Sequence, residues 1–308
     1  MRRGGAASPS FCPLQFSTRE AAQAGVQELV ERDPREFHQE GSRWTLDKIR
    51  SVCFFISSYT RSGIWRLLHA LRVHWKHARD HVRSPAPAYL AKQAYVARCR
   101  EQVRAAPTTT VLLCEDEFTY YRQPTLAPGW AATGSTHPLA ARSHRSNTLT
   151  RVAGALNAAT GQLTVVQGTR LGVGPLVRFY EQGCDAYPGQ RLYLVQDNWP
   201  VHFHPDVLAA LEPQAWPFDW VYPPSWPKEA SPRARRRRLP IQLVPLPPYA
   251  SNTNPIEKLW RWLKQEVLHL HRWADDLAEL RRQVLAFFAR FAAGSDPLLR
   301  YVGLLVPH

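Results

Sequence analysis

Three carboxylates carry the chemistry that this sequence could perform. Asp116 lies in Glu115-Asp116-Glu117, which ends a β-branched and apolar run over 108–114, and Asp197 follows a second apolar run over 191–196. Both runs read as buried strands. Glu257 falls in the first turn of a helix opened by Asn254-Pro255, with Asn254 as the expected cap and Ile256, Leu259, Trp260, Leu263 and Val267 as its apolar stripe. Residues at the carboxyl ends of neighbouring strands project into one crevice. Three acids converging there would repel one another and hold protons unless cations were present. Hard divalent ions take such oxygen ligands, and two of them can activate a water or a 3′-hydroxyl and stabilise the leaving oxygen of a phosphodiester. Taken singly, each acid has a plainer reading. Asp116 could belong to an acidic turn, Asp197 or Asn198 could cap a following helix, and Glu257 could complement a helix dipole.

The elements that must position these acids follow from periodicity. Residues 151–156 and 163–167 read as further strands joined by the turn Ala159-Thr160-Gly161, 171–183 as a helix, 241–245 as a short strand, and 274–292 as a final helix. Segment 213–240 is rich in Pro and Trp and includes Arg235, Arg236, Arg237 and Arg238. Within it, Tyr222–Leu239 is expected to be mobile in isolation with few periodic core residues, gripping DNA by phosphate neutralisation and stacking; the alternatives are decoration, or a structural loop with Trp216, Trp220 and Trp226 in the core.

Charge is unevenly spread. The chain of 308 residues has a formal charge of +14, and residues 1–107 hold 18 Lys+Arg against 9 Asp+Glu. A basic N-terminal third suggests a nucleic-acid arm on a catalytic body. Within it, Thr18 caps a helix with Ala22, Val26, Leu29 and Val30 on one face, and Asp33-Pro34 ends it. Thr45 caps a second helix carrying Leu46, Ile49, Val52 and Cys53. After the break at Ser57-Ser58-Tyr59-Thr60, a third helix carries Ile64, Leu67, Leu68 and Leu71 and exposes Arg61, Arg66 and Arg72. Two short helices joined by a polar turn match a helix-turn-helix, with basic side chains toward phosphates and base edges; the alternative is a helical hairpin with a solvated basic face. His74, His77 and His81 could line a metal face but suit the polar side of a basic helix. A helix over 89–104 links this region to the next, and residues 1–18 read as disordered.

The five cysteines form no C-x-x-C pair, which excludes a zinc ribbon or disulfide framework and fits a reducing compartment. No uncharged apolar run reaches membrane-spanning length, and the N-terminus lacks a secretory pattern. A cytoplasmic, nucleoid-associated protein is therefore expected.

Over about Glu28–Gln283 the chain resembles bacterial insertion-sequence transposases of the mariner superfamily, the insertion-sequence six-thirty group. Three blocks carry the likeness: L-L-C-E-D-E-F-T-Y-Y-R-Q-P-T-L-A-P-G-W from Leu112, L-Y-L-V-Q-D-N-W-P-V-H from Leu192, and L-P-P-Y-A-S-N-T-N-P-I-E-K-L-W-R-W-L-K from Leu246. Arg43-Trp44-Thr45-Leu46 and Ser84-Pro85…Tyr89…Lys92 resemble the family's second DNA-binding helical unit. The resemblance implies a ribonuclease H-like mixed sheet flanked by helices, with Asp116, Asp197 and Glu257 as ligands of Mg²⁺ or Mn²⁺, two ions in all. Glu117, Asn198 and His202 would support the site, and Lys264, two turns from Glu257, would touch a DNA phosphate. It also implies cleavage at transposon ends, transfer into target DNA, and a homodimer on double-stranded DNA. Two departures stand out. Nothing before Thr18 has the pattern of the family's further helix-turn-helix, and the 59 residues between Asp197 and Glu257 exceed the usual spacing.

The expected organisation is a disordered N-terminus over 1–18, a helical DNA-binding region with its linker over 19–106, and a catalytic α/β domain over 107–308 with the insertion 213–240. The competing readings are an inactive DNA-binding remnant of a transposase and a ribonuclease H-like nuclease that cuts without joining.

Overall fold

The computed structural model describes residues 18–75, 88–134, 137–220, 222–234, 236–248, 250 and 253–305. The expectations placed on residues 1–17, on His77 and His81, on Ser84-Pro85 and on Arg235 fall outside them. Two compact units divide between Arg79 and Asp80.

In the first unit, the expected caps Thr18 and Thr45 open helices, and Thr60, read only as part of a break, opens another. Each accepts a backbone N–H through the side-chain hydroxyl, starting α1 (Arg19–Glu31), α2 (Leu46–Val52) and α3 (Arg61–Ala70). Val26, Leu29, Ile49, Val52, Ile56, Ile64, Leu68 and Leu71 bury together as one core. That core leaves one face of α3 to Arg61, Trp65 and Arg66, all exposed.

The second unit is built on a mixed sheet in the order β3-β2-β1-β4-β5. Its strands are β1 (Thr110–Tyr121), β2 (Leu149–Asn157), β3 (Leu163–Gly168), β4 (Arg191–Gln196) and β5 (Ile241–Pro245). β1 pairs antiparallel with β2 and parallel with β4, and β4 runs parallel to β5. The helices are α4 (Tyr89–Ala105), α5 (Val173–Ala186), the short α6 (Pro205–Leu208), α7 (Ile256–Leu263), α8 (Leu277–Ala289) and α9 (Asp296–Val302). Side chains alternate along a strand, so Val111 and Leu113 of β1 pack with α5 and α6 on one side. Cys114, Phe118 and Tyr120 pack with α7, α8 and α9 on the other. This is the mixed sheet flanked by helices that the sequence implied.

Several boundaries differ from expectation, each for a nonlocal reason. β1 does not stop at Cys114. It loses its β4 neighbour there but keeps pairing with β2 as far as Tyr121↔Leu149, so the three acids lie within the strand. The linker helix α4 packs with the second unit, where Tyr95, Val96 and Cys99 bury against Val195, Val244 and Leu246. Asn254 does not cap α7: its side chain instead donates to the Glu115 carbonyl at 2.7 Å, and Pro255 takes the cap position. The helix expected over 274–292 is α8, and beyond Gly294, with φ +96°, a further helix α9 follows that was not expected.

Segment 213–240 is anchored at several points. Trp216 and Trp220 pack against the core beside α5 and α6, and Trp220 stacks on Phe203 with centroids 3.6 Å apart. The Gln214 side chain lies along the outer edge of β5, donating to the Ile241 carbonyl at 2.9 Å and accepting the Leu243 N–H at 2.9 Å. Trp216 Nε1 donates to the Leu243 carbonyl. Farther along, Ser231 donates to Asp206, and Arg237 pairs with Glu181. The prolines exclude regular structure without excluding side-chain anchoring, which a periodicity reading does not detect.

Candidate active site

The parallel register of β1 and β4 runs from Thr110↔Arg191 to Cys114↔Val195. Continuing it by two residues sets Asp116 level with Asp197, just past the point where β4 ends. Asp116 points to the α7 side. There Trp260, one turn after Glu257, donates its indole N–H to Asp116 Oδ2 at 2.8 Å. Gly154 lies opposite Asp116 on β2, and a Cβ there would come 2.7 Å from Trp260 Cη2. Any larger residue would push the indole away from the carboxylate. Burial first, and then the negative charges of Glu117, Asp197 and Glu257, push the Asp116 carboxyl up to about 7 against the Trp260 bond. The three acids singled out from the sequence therefore share one electrostatic neighbourhood.

Glu115 and Glu117 point to the other side, toward His202. His202 Nε2 lies 3.6 Å from Glu115, 3.4 Å from Glu117 and 3.6 Å from Asp197. His202 and Glu115 are fully buried. Burial alone would depress the imidazole, but the charges of Glu115 and Glu117 and the Asp197 contact outweigh it and raise its pKa well above the ordinary value. The Tyr180 hydroxyl donates to Gln196 Oε1 and leaves its oxygen to accept from His202 Nδ1 at 3.1 Å, while Nε2 meets the carboxylates at ion-pair distance, without a hydrogen bond among the described residues. Burial opposes ionisation of Asp197, but the His202 contact and the Trp199 N–H, 2.7 Å from Oδ1, hold its carboxyl below the usual range.

Asn198 is held at both ends of its amide: Nδ2 donates to the Leu246 carbonyl at 2.8 Å and Oδ1 accepts from Lys92 Nζ at 2.6 Å. Lys264 is exposed, with Nζ 5.1 Å from the Phe118 ring centroid. In the first unit, Arg61 is paired with Asp47, Arg66 is exposed in mid-helix, and Arg72 lies past the end of α3 with φ +58°. Arg236, Arg237 and Arg238 are exposed. The structure thus brings Asp116, Glu117, Asp197, Asn198 and His202 to one end of β1 and β4, with Glu257 near enough for its charge to act on Asp116. Sequence reasoning passed over Glu115, Gly154 and Trp260, and quoted Lys92 only as part of a motif. Alternation along β1 would have marked Glu115 as inward-facing had the strand been carried past Cys114.

Residues 111–281, more than half of the chain, match the family model described as DDE superfamily endonuclease. The chain belongs to that family. It is an endonuclease by descent, and DDE membership implies use of divalent metal. The residues fit such an ion: the acids supply oxygen donors, and Asp116 lies buried beside the like charges of Glu117, Asp197 and Glu257. On the other face of β1, one ligand atom each from Glu115, Glu117 and His202 lies within 4.8 Å of the others, a cluster that would take an ion only with His202 neutral. No curated protein is significantly similar to the chain. Among solved structures, the Mos1 strand transfer complex aligns at 13% identity and TM-score 0.48, covering 98% of this chain and 77% of that one. The Mos1 transposase paired-end complex with left transposon end aligns at 13% and 0.49, covering 98% and 78%. Among the described residues, no helix is long and apolar enough to cross a membrane.

Proposed function

We propose that this DDE endonuclease is a transposase of the mariner superfamily, of the bacterial insertion-sequence six-thirty group, which cleaves double-stranded DNA at transposon ends and joins the new 3′-hydroxyl to target DNA. The observation that carries it is the burial of Asp116 beside the like charges of Glu117, Asp197 and Glu257, which together push its carboxyl up to about 7. Acids placed in one such neighbourhood are suited to sharing cations. In this reading Asp116, Asp197 and Glu257 hold Mg²⁺ or Mn²⁺, two ions in all. When bound, the metal would activate a water or 3′-hydroxyl and stabilise the departing oxygen. The chain's own groups do the positioning. Trp260 fixes Asp116 Oδ2 and leaves Oδ1 free to coordinate. His202 fixes Asp197 and balances Glu115 and Glu117. Lys264 faces solvent on the helix of Glu257 and neutralises a phosphate.

DNA is held in the first unit by α3, where Arg66 is the exposed cation of mid-helix and Arg61 is restrained by Asp47. Arg236, Arg237 and Arg238 supply further phosphate contacts. Two copies of the chain act together on two ends.

The test uses DNA carrying the inverted repeats that flank the gene, with Mn²⁺. The parent chain is expected to cut and to join, whereas Asp197→Asn binds the same DNA and does neither, because Asn keeps the shape and loses the charge that holds the cation. Undiminished cutting by Asp197→Asn removes that residue from the site. Cutting without joining by the parent identifies a nuclease, and binding without cutting an inactive remnant.

A further inference from the structure

Lys92 is a buried ammonium that the chemistry above does not use. It sits near the N-terminal end of α4, where the helix dipole disfavours a cation, and is only 6% exposed. Among the described residues, no carboxylate lies within 4 Å of it. Its polar partner is the neutral Asn198 Oδ1 at 2.6 Å, and the rings of Phe218 and Trp220 stand 5.3 and 5.0 Å from Nζ. Burial pulls its pKa below the ordinary lysine value. A cation in such a place is a poor source of stability, since an apolar side chain of the same length would fill the space without the desolvation cost.

What the ammonium does supply is direction. Asn198 follows Asp197 immediately, just past the end of β4. With Nδ2 on the Leu246 carbonyl and Oδ1 on Lys92, its amide ties β4, the end of β5 and α4 into one frame. The cage around Lys92 is itself fixed: Trp220 stacks on Phe203, the neighbour of His202, and Phe218 meets Tyr95 of α4 edge-on at 5.8 Å.

We infer that Lys92 is a positioning residue, which holds the Asp197 carboxylate in place through Asn198, and that Phe218 and Trp220 of segment 213–240 form the aromatic cage that holds Lys92. This rests on Asp197 being a metal ligand. It gives the additional length between Asp197 and Glu257 a role inside the catalytic unit, separate from any contact with DNA.

The test compares the full-length parent with Lys92→Met, which keeps the side chain's length and apolar stem. Three quantities are read: the melting temperature, the turnover and KM for plasmid nicking with Mn²⁺, and Mn²⁺ binding by calorimetry. Lys92→Met is expected to melt no lower than the parent and to keep its KM for DNA. Turnover should fall, and Mn²⁺ binding weaken, by about ten-fold each, the low end of the effect of groups behind metal ligands. Asn198→Ala should reproduce both losses, and the double variant should lose no more than either single one.

Turnover within two-fold of the parent overturns the inference. So does tighter Mn²⁺ binding, which is the result if Lys92 acts only as a nearby positive charge, and so do additive losses in the double variant. Should Lys92→Met not fold, Trp220→Leu, which opens the cage, takes its place with the same expectations for turnover, KM and Mn²⁺ binding and a lower melting temperature, since it also removes packing from the core. A parent that binds Mn²⁺ but does not nick DNA removes the proposed function and leaves this inference to the calorimetry. A parent that binds no Mn²⁺ removes both.

Discussion

β1 presents acids on both of its faces, and the two faces differ in what balances them. On the α5 side, Glu115 and Glu117 close around His202, whose raised pKa supplies a positive charge from within the protein. On the α7 side, Asp116 faces the charges of Asp197 and Glu257 with a neutral indole N–H as its hydrogen-bond donor. Adjacent residues of one strand thus carry like side chains into opposite electrostatic settings. Glu115 and Glu117, whose counter-charge is built in, serve the frame; Asp116, which has none, is available to an ion from solution, and Asp197, 3.6 Å from His202, borders both settings.

The largest expected effect separates the faces directly. Asp116→Asn should lower Mn²⁺-dependent cleavage by at least about a thousand-fold, roughly 4 kcal/mol of transition-state stabilisation. The same variant should melt higher than the parent in the absence of divalent ions, because a crowded buried charge is removed. A lower melting temperature would place Asp116 with the framework acids. His202→Gln is expected to act the other way, destabilising the folded chain by about 3 kcal/mol in denaturant titrations by leaving buried carboxylates without their counter-charge. A second change, Glu115→Gln, should restore part of that loss, and an unaltered midpoint in His202→Gln would erase the contrast between the faces.

A smaller effect is expected from Gly154→Ala. The added methyl meets Trp260 and should cost about 1–3 kcal/mol, with a loss of cleavage of about ten-fold as the indole leaves Asp116. Trp260→Phe should reproduce the cleavage loss with less effect on stability. The smallest effect is thermal: millimolar Mg²⁺ or Mn²⁺ should raise the melting temperature of the parent by a few degrees and leave Asp116→Asn unmoved. Equal shifts in both would mean that the ion binds elsewhere.

Much of this was readable in the sequence because it is local. Thr18 and Thr45 cap the helices they precede, and Ile64, Leu68 and Leu71 bury the stripe their spacing describes. Asp116, Asp197 and Glu257 stood out by residue type and by the runs before them. The parts that were not readable depend on partners far along the chain. β1 continues past Cys114 only because β2, some forty residues on, continues to pair with it, and that continuation turns Glu115 and Glu117 inward. Asn254 has the residue type of a helix cap, yet its amide is taken by the Glu115 carbonyl. Lys92 stood in the sequence only as part of a motif on a linking helix, because Asn198 and Trp220, which give it a setting, lie far along the chain. Segment 213–240 reads as surface because its tryptophans have no period, and their neighbours come from α6, β5 and Phe203.

The lodging of Gln214 against β5 has a consequence for the chain before it meets any partner. β5 is the last strand on its side of the sheet, five residues long and rich in buried apolar groups, the kind of border that templates pairing with the same strand of another molecule. One side-chain amide uses the Ile241 carbonyl and the Leu243 N–H, and the Trp216 indole takes the Leu243 carbonyl, so a second β5 finds no free ladder to extend. Gln214→Ala would reopen that ladder. Light scattering of the concentrated variant would then rise with time while the parent stayed clear, a loss of solubility arising from two missing hydrogen bonds on a sheet's border.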